Sequence, residues 1–460
     1  MTKFTVKSSE LAQHGFARMD APYWMPEYRE QERRLEECGL PLSRMSCFIE
    51  SIESGEGVYE LSDSDGWKYL NVNNITPNGI DDSNCGYLPS LTKETAANVI
   101  RQGDIVTGRV GTIGVFVKYE CEEPSYISDN VFRLRLKDCN PDYILAVLNT
   151  RIVRNQIDRE AKGSLQRVVN KQTIRNLLIP VPPPEVQRRM VAELDAAHAA
   201  KRKADEKATK LLASIDDMVL KELGIARLPE LDTSLSSRIF TVPARETLNG
   251  RLDSYSYSPF FADNLKRIRT NGSRRLGELV TLSHRQWDRK EWKGNASGDF
   301  PYIEIGAISV DEGEIGVVER VPIADAPSRA KMMVVAGDLL VSLTRPTRRA
   351  IAFATAEAIA STGFAVIHGF SDEVMPEYLS VILRSELCTY QFDQRSTGGN
   401  YPAITEEQLL RCEIPIPPRS VQDRIASMAS SIRTEARKLK ANATAALDAA
   451  KRKIEARIVA

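Results

Sequence analysis

Two short segments carry side chains suited to gripping a polyanion and reading hydrogen-bond patterns. They are Lys162-Gly163-Ser164-Leu165-Gln166-Arg167-Val168-Val169-Asn170-Lys171 and Arg395-Ser396-Thr397-Gly398-Gly399-Asn400-Tyr401. Lys and Arg neutralise phosphates. Arg, Asn and Gln present donors and acceptors that match base edges in a DNA major groove. Two more turns stand upstream: Arg109 lies within the glycine-rich stretch 108–114, and Arg345, Arg348 and Arg349 lie in a turn without those glycines. The candidate contacts are therefore Arg109, Lys162, Gln166, Arg167, Asn170 and Lys171 in the first half of the chain. In the second half they are Arg345, Arg348, Arg349, Arg395, Asn400 and Tyr401. For any single residue the competing reading, a solvated or ion-paired side chain, stays open. For the loops as groups, position and charge favour DNA.

Other chemistries lack their residues. His14, His198, His284 and His368 are isolated, with no Cys or second His at ligand spacing, so no metal is expected. No GxxxxGK[ST] phosphate loop occurs, and the Pro-Pro runs lack the aromatic residue of a base-methylating motif. Tyr302-Ile303-Glu304-Ile305-Gly306 offers one carboxylate and no acidic cluster for a nuclease. Asp104 and Asp338, each after Gly, read as turn-capping residues rather than catalytic ones. No cofactor and no intrinsic enzymatic activity are expected. Trp287 and Trp292 read as core or edge residues despite the basic side chains around them.

These candidate residues recur because the chain repeats itself. Phe4-Thr5-Val6 returns as Phe240-Thr241-Val242, and Arg18-Met19-Asp20 as Arg251-Leu252-Asp253. Gly103-Asp104-Ile105-Val106 returns as Gly337-Asp338-Leu339-Leu340, and Pro141-Asp142-Tyr143-Ile144 as Pro376-Glu377-Tyr378-Leu379. Ile179-Pro180-Val181-Pro182-Pro183 returns as Ile414-Pro415-Ile416-Pro417-Pro418. The offset stays between 233 and 236, which makes one large tandem duplication.

Within each copy a strand-rich portion precedes a helix. Asn130 to Leu136 alternates apolar and basic residues, as a half-buried strand does. Pro141 to Ile157 reads as one helix. The Pro-rich run then gives way to a long helix that starts near Pro184, where a missing N–H costs nothing. It should stop at Gly224, a left-handed cap. Met190, Leu194, Leu211 and Ile215 belong to a 4-3-4-3 seam in this helix, and Ile425, Met428, Ile432 and Leu439 to one in the second. Each helix would run roughly 60 Å. An antiparallel pairing of the two would bury both stripes. Capping of each unit's own core, or pairing with a second copy of the chain, are the rival arrangements. The expected fold is α+β, with mixed α/β units at 1–183 and 225–416 and long helices at 184–224 and 417–460.

Lys plus Arg equals Asp plus Glu at 62 each, so any affinity for nucleic acid must come from local faces. Such faces are expected at 151–189, 264–293 and 329–349, where Lys and Arg outnumber acids. Seven unpaired-looking cysteines and the absence of a signal-like or membrane-spanning apolar run predict a cytoplasmic, soluble protein.

The Gly-Asp-apolar strand with its turn, the helix ending in a Gly-Ser or Gly-Gly loop, and the Ile-Pro-x-Pro-Pro…Gln helix entry occur in that order twice. With these motifs the chain resembles the specificity subunit of type I restriction-modification systems over nearly its whole length. The resemblance implies two target recognition domains, each reading one half of a split double-stranded DNA site. It implies an antiparallel coiled coil that spaces them and docks two methyltransferase subunits, and a translocating restriction subunit as a further partner. It also implies no catalysis by this chain. A specificity subunit of another methylation-based or type II-like system, or a coiled-coil scaffold without DNA readout, are the alternatives. Because the second copy lacks the glycine-rich turn, the two units are expected to read different half-sites.

Overall fold

The computed structural model describes residues 5–6, 21–58, 61–62, 65–77, 79–90, 99–161, 167–232, 234–243, 253–270, 272–288 and 298–458. The predicted features at Phe4, Arg18-Met19-Asp20, Arg251-Leu252, Lys162, Gln166, His14 and Trp292 lie outside them. The chain forms two compact units, Met1–Arg202 with Asn442–Ala460, and Lys203–Ala441. The helices Pro184–Leu223 and Arg419–Ile458 each give residues to both units.

The duplication in sequence is a duplication in topology. In the first unit one sheet is ordered Ile49–Ser54, Val131–Leu136, Ile105–Gly108, Phe116–Lys118. A second is ordered Gly86–Leu88, Trp67–Leu70, Ser125–Ile127, Val99–Ile100, with its middle pair parallel. The second unit repeats both orders. They run Val280–Leu282, Phe364–Phe370, Leu339–Ser342, Ile351–Phe353, and Glu319–Pro322, Asp299–Ile303, Ala358–Ser361, Ala330–Val334. Again the middle pair of the second sheet is parallel.

The repeated motifs do the same work twice. Asp104 Oδ2 accepts the Arg101 N–H at 2.9 Å, and Asp338 Oδ2 accepts that of Val335 at 2.9 Å, so each closes the turn ahead of its strand. Gly103 and Gly337, at φ of 93° and 94°, supply the conformation these turns need. The second oxygen of each Asp differs in partner: Arg135 Nε at 2.9 Å for Asp104, His368 Nδ1 at 2.6 Å for Asp338. The Tyr143 hydroxyl donates to Pro180 O at 2.7 Å and that of Tyr378 to Pro415 O at 2.8 Å, pinning the Pro-rich run to the helix behind it. Gln187 donates to Pro182 O, and Gln422 to Pro417 O, at the two helix entries. Gly224, with φ of 64°, ends the first helix, and the Ile225 N–H reaches back to Leu220 O at 2.8 Å.

Each unit is completed by a helix end belonging to the other repeat. In the first unit, Ile454 and Ile458 join Met190, Tyr143 and Val147 in one apolar cluster. Glu193 there holds Lys453 and Arg457, both at 3.0 Å. In the second unit, Met218, Val219, Leu220 and Leu223 join Ile425, Ala429, Tyr378 and Phe392, and Glu222 binds Arg424. Polar contacts follow the same exchange. Glu455 accepts the Arg151 N–H at the start of the helix Arg151–Glu160. Asp216 Oδ1 accepts the Glu386 N–H at 3.0 Å at the start of Glu386–Arg395. A carboxylate at that end satisfies an orphan donor and meets the positive pole of the helix.

Three expectations need correction. The stretch 141–157 is two helices, Pro141–Leu148 and Arg151–Glu160. At the break Asn149 accepts the Phe116 N–H at 3.1 Å and donates to Phe116 O at 2.8 Å. The strand Val131–Leu136 is covered on both faces over its first four residues, and Arg133 is buried with Nη1 on Val99 O at 3.1 Å. In the second long helix Met428 is 39% exposed, and the buried position is Ala429 at 0%. Glu435 is likewise exposed beside buried Ala436. A seam followed at strict heptad spacing drifts off a helix of 3.6 residues per turn. In the first helix Met190 is buried, and Leu194, Leu211 and Ile215 are half-buried.

This burial pattern separates two neighbouring substitutions. Met428→Asp should alter stability by no more than about 1 kcal/mol, as surface changes do. Ala429→Asp should cost about 3 kcal/mol or more, because it places an unpaired charge among apolar side chains. Chemical denaturation midpoints of the two variants measure the difference. A second comparison concerns Gln422, which is 1% exposed, accepts the Met375 N–H at 2.9 Å and donates to Glu373 O at 2.9 Å besides Pro417 O. Gln422→Ala should cost roughly 2–4 kcal/mol by stranding these groups.

Candidate nucleic-acid interface

In both units the turn after the Gly-Asp strand lies against the loop that follows the helical hairpin. In the first, the Arg109 N–H is held by Asn130 O at 2.8 Å, the Val169 N–H donates to Arg109 O at 3.0 Å, and Val110 bridges Val168. In the second, the Leu343 N–H is held by Gly363 O at 2.8 Å, the Ile404 N–H donates to Leu343 O at 2.9 Å, and Thr344 bridges Ala403. Two loops distant in sequence thus form one surface, and the candidates Arg109, Arg167 and Asn170 gather there, as do Arg345, Asn400 and Tyr401.

The turns share a backbone shape in spite of unlike sequences. Gly111 and Gly114 have φ of 68° and 73°, and Arg345 and Arg349 take the matching places at 49° and 61°. A side chain in that left-handed region costs roughly 1–2 kcal/mol. Each Arg is fixed by outside partners. Arg345 lies 4.4 Å from the Tyr401 ring centroid, donates to Asn400 O at 3.0 Å, and its N–H reaches Pro402 O at 2.6 Å. Arg349 donates to Asp216 Oδ2 at 2.7 Å. Non-glycine residues held in a strained conformation by specific contacts are what a functional turn displays.

The remaining candidates vary in availability. Arg109 is exposed. Arg167 is exposed but bonded to Asp158 at 3.0 Å, and Lys171 is bonded to Glu53 at 2.9 Å. Asn170 caps the helix Lys171–Asn176, accepting the Thr173 N–H at 2.8 Å. Tyr401 is 70% exposed, unusual for so large a ring. Arg348 is exposed, whereas Arg349 is directed to Asp216 on the first long helix. Arg395 bonds within its own helix, to Gln391 O at 3.0 Å.

Charge counting overstates the basic segments. Arg159 is buried against the Tyr23 ring and Glu32, and Arg269 binds Glu413, whose carboxyl it holds below the usual range. Trp287 is a core residue, with its Nε1–H on Ala330 O at 2.6 Å and its ring 4.5 Å from Phe300. No group of metal-holding side chains occurs among the described residues. No helix among them is long and apolar enough to cross a membrane. All seven cysteines are free.

Sequence reading missed Arg384. It occupies the place of Asn149 in the repeat, and its guanidinium donates to Ile351 O at 3.2 Å and Val310 O at 2.7 Å. Burial pushes it down to about 9. The signal available was an Arg at the close of the apolar run Val381-Ile382-Leu383.

The chain is similar to several known proteins. The S subunit of a type I restriction-modification system from M. genitalium is 10% identical over 91% of this chain and 96% of its own, with a TM-score of 0.40. A chain solved for complex assembly and conformational transition of the type I R-M system is 17% identical over 91% and 97%, with a TM-score of 0.44. The HsdS subunit from Thermoanaerobacter tengcongensis is 18% identical over 91% and 95%, with a TM-score of 0.32. No curated protein matches. The family described as the type I restriction modification DNA specificity domain matches twice, at residues 50–208 and 269–447. With one match in each repeat and well over half of the sequence covered, the chain belongs to the type I restriction-modification DNA specificity family, whose work is DNA target recognition.

Proposed function

We propose that the chain reads a split duplex DNA site, one half per unit, and brings methyltransferase subunits to it without catalysing a reaction itself. In this reading the two long helices pair as an antiparallel coiled coil that fixes the spacing of the half-sites. Two methyltransferase subunits dock on it, with a translocating restriction subunit as a further partner, in the cytoplasm. The observation that carries the reading is the repeated junction of strand turn and hairpin loop, built alike in both units but furnished differently. Arg109, Arg167 and Asn170 line it in the first unit, and Arg345, Asn400 and Tyr401 in the second. Shared backbone with unlike polar side chains suits two readers of unlike sequences. Lys162, Gln166 and Lys171 extend the first patch in sequence.

The test is selection of bound duplexes from a random pool by the chain assembled with its cognate methyltransferase. The unaltered complex should enrich two motifs at a fixed separation. Arg345→Ala combined with Tyr401→Ala should lose one motif, at a cost of roughly 1–3 kcal/mol in affinity, and keep the other. Loss of both motifs together, or of neither, would contradict the assignment. Leu194→Asp with Leu211→Asp should abolish the fixed separation, and an unchanged separation in that variant rules out the helices as the spacer.

A further inference from the structure

The second unit contains a cavity of about 250 Å³, walled by Arg348 and Arg349, by Arg384 and by residues of both long helices. Four guanidinium-bearing residues line it, Arg348, Arg349, Arg384 and Arg433, against two carboxylates, Asp216 and Asp311. Their partners leave an imbalance. Asp216 is committed to Arg349 at 2.7 Å. Among the described residues Arg384 is bonded to carbonyl oxygens alone, those of Arg349, Ile351, Val310 and Asp311, which satisfy its donors without cancelling its charge. Arg433 has its Nε out of reach of solvent with no hydrogen-bond partner among the described residues. The acid that acts on it electrostatically, Glu314, is bonded to Arg437. Arg348 likewise makes no side-chain ion pair among the described residues.

Like charges gathered around a half-enclosed space repel, and desolvation disfavours the protonated forms of Arg384 and Arg433. A sequence free to vary would relieve this. The first copy carries Ile113, Gly114, Asn149 and His198 at the positions matching Arg348, Arg349, Arg384 and Arg433, so the cluster is an addition to the duplicated fold and not a requirement of it. Guanidinium forks match the oxygens of phosphate, and a water occupies about 30 Å³ of liquid, which leaves room here for such a group with its waters.

We propose that this cavity binds a phosphate group, held by Arg348 and Arg433 over the positive background of Arg384. The site is separate from the exposed Arg345–Tyr401 patch and stands whether or not that patch contacts DNA.

Thermal unfolding of the full chain, in inorganic phosphate against chloride at equal ionic strength, tests it. The melting temperature should rise saturably with phosphate, because a ligand of the folded state stabilises it. Arg433→Gln and Arg348→Gln should each need at least about tenfold more phosphate for the same rise. Arg101→Gln, at an exposed site elsewhere, should respond like the unaltered chain. Arg433→Met removes the poorly solvated charge and should melt in chloride no lower than the unaltered chain, so its lost response cannot be lost folding. No saturable rise, or equal rises in all variants, would overturn the proposal. Added duplex DNA displaces the bound phosphate if the group belongs to a DNA backbone, and leaves it in place if the ligand is a free anion.

Discussion

The structure depends on an exchange of helix ends. Neither repeat closes its own core. Ile454 and Ile458, from the last turns of the second repeat, fill the first unit, while Met218 to Leu223 of the first repeat fill the second. Fully burying a side chain of this kind is worth about 1.5–3 kcal/mol, so the exchanged side chains stabilise both units. Asp216 and Glu455 reinforce the exchange by meeting the starts of the helices Glu386–Arg395 and Arg151–Glu160.

Given that frame, the two units can diverge where no packing depends on the side chain. The turn after each Gly-Asp strand is the clearest case. Its two left-handed positions persist, but glycines fill them in the first unit and arginines in the second. The cost of placing Arg there is met by Tyr401 and Asn400 at one residue and by Asp216 at the other. One backbone thus carries unlike side chains in the two units.

Much of this was legible in the residues. The recurrence of Gly-Asp, Pro-x-Tyr and Ile-Pro-x-Pro-Pro named the duplication, and in each copy the Asp closes its own turn while the Tyr hydroxyl ties the helix to the Pro-rich run. What depends on tertiary partners was not legible. Arg349 reads as a free basic residue until Asp216, far away in sequence, is brought to it. Arg133 looks like the solvent side of a strand, yet the second sheet covers it and offers the Val99 carbonyl. Asn149 interrupts a helix because Phe116 presents its backbone there. Heptad spacing points to Met428, whereas the helix buries its neighbour Ala429. Arg384 carries no local signal beyond an apolar run before it.

On the proposed reading this one chain supplies both halves of a DNA address to a methylating enzyme. The most direct measurement is sequencing of modified bases in a methylation-free host that expresses the chain with the methyltransferase from its genomic neighbourhood. Methylation is expected at a two-part motif with a fixed gap, present only when the chain is expressed. Methylation that persists without the chain, or a soluble complex that leaves the genome unmodified, would contradict it.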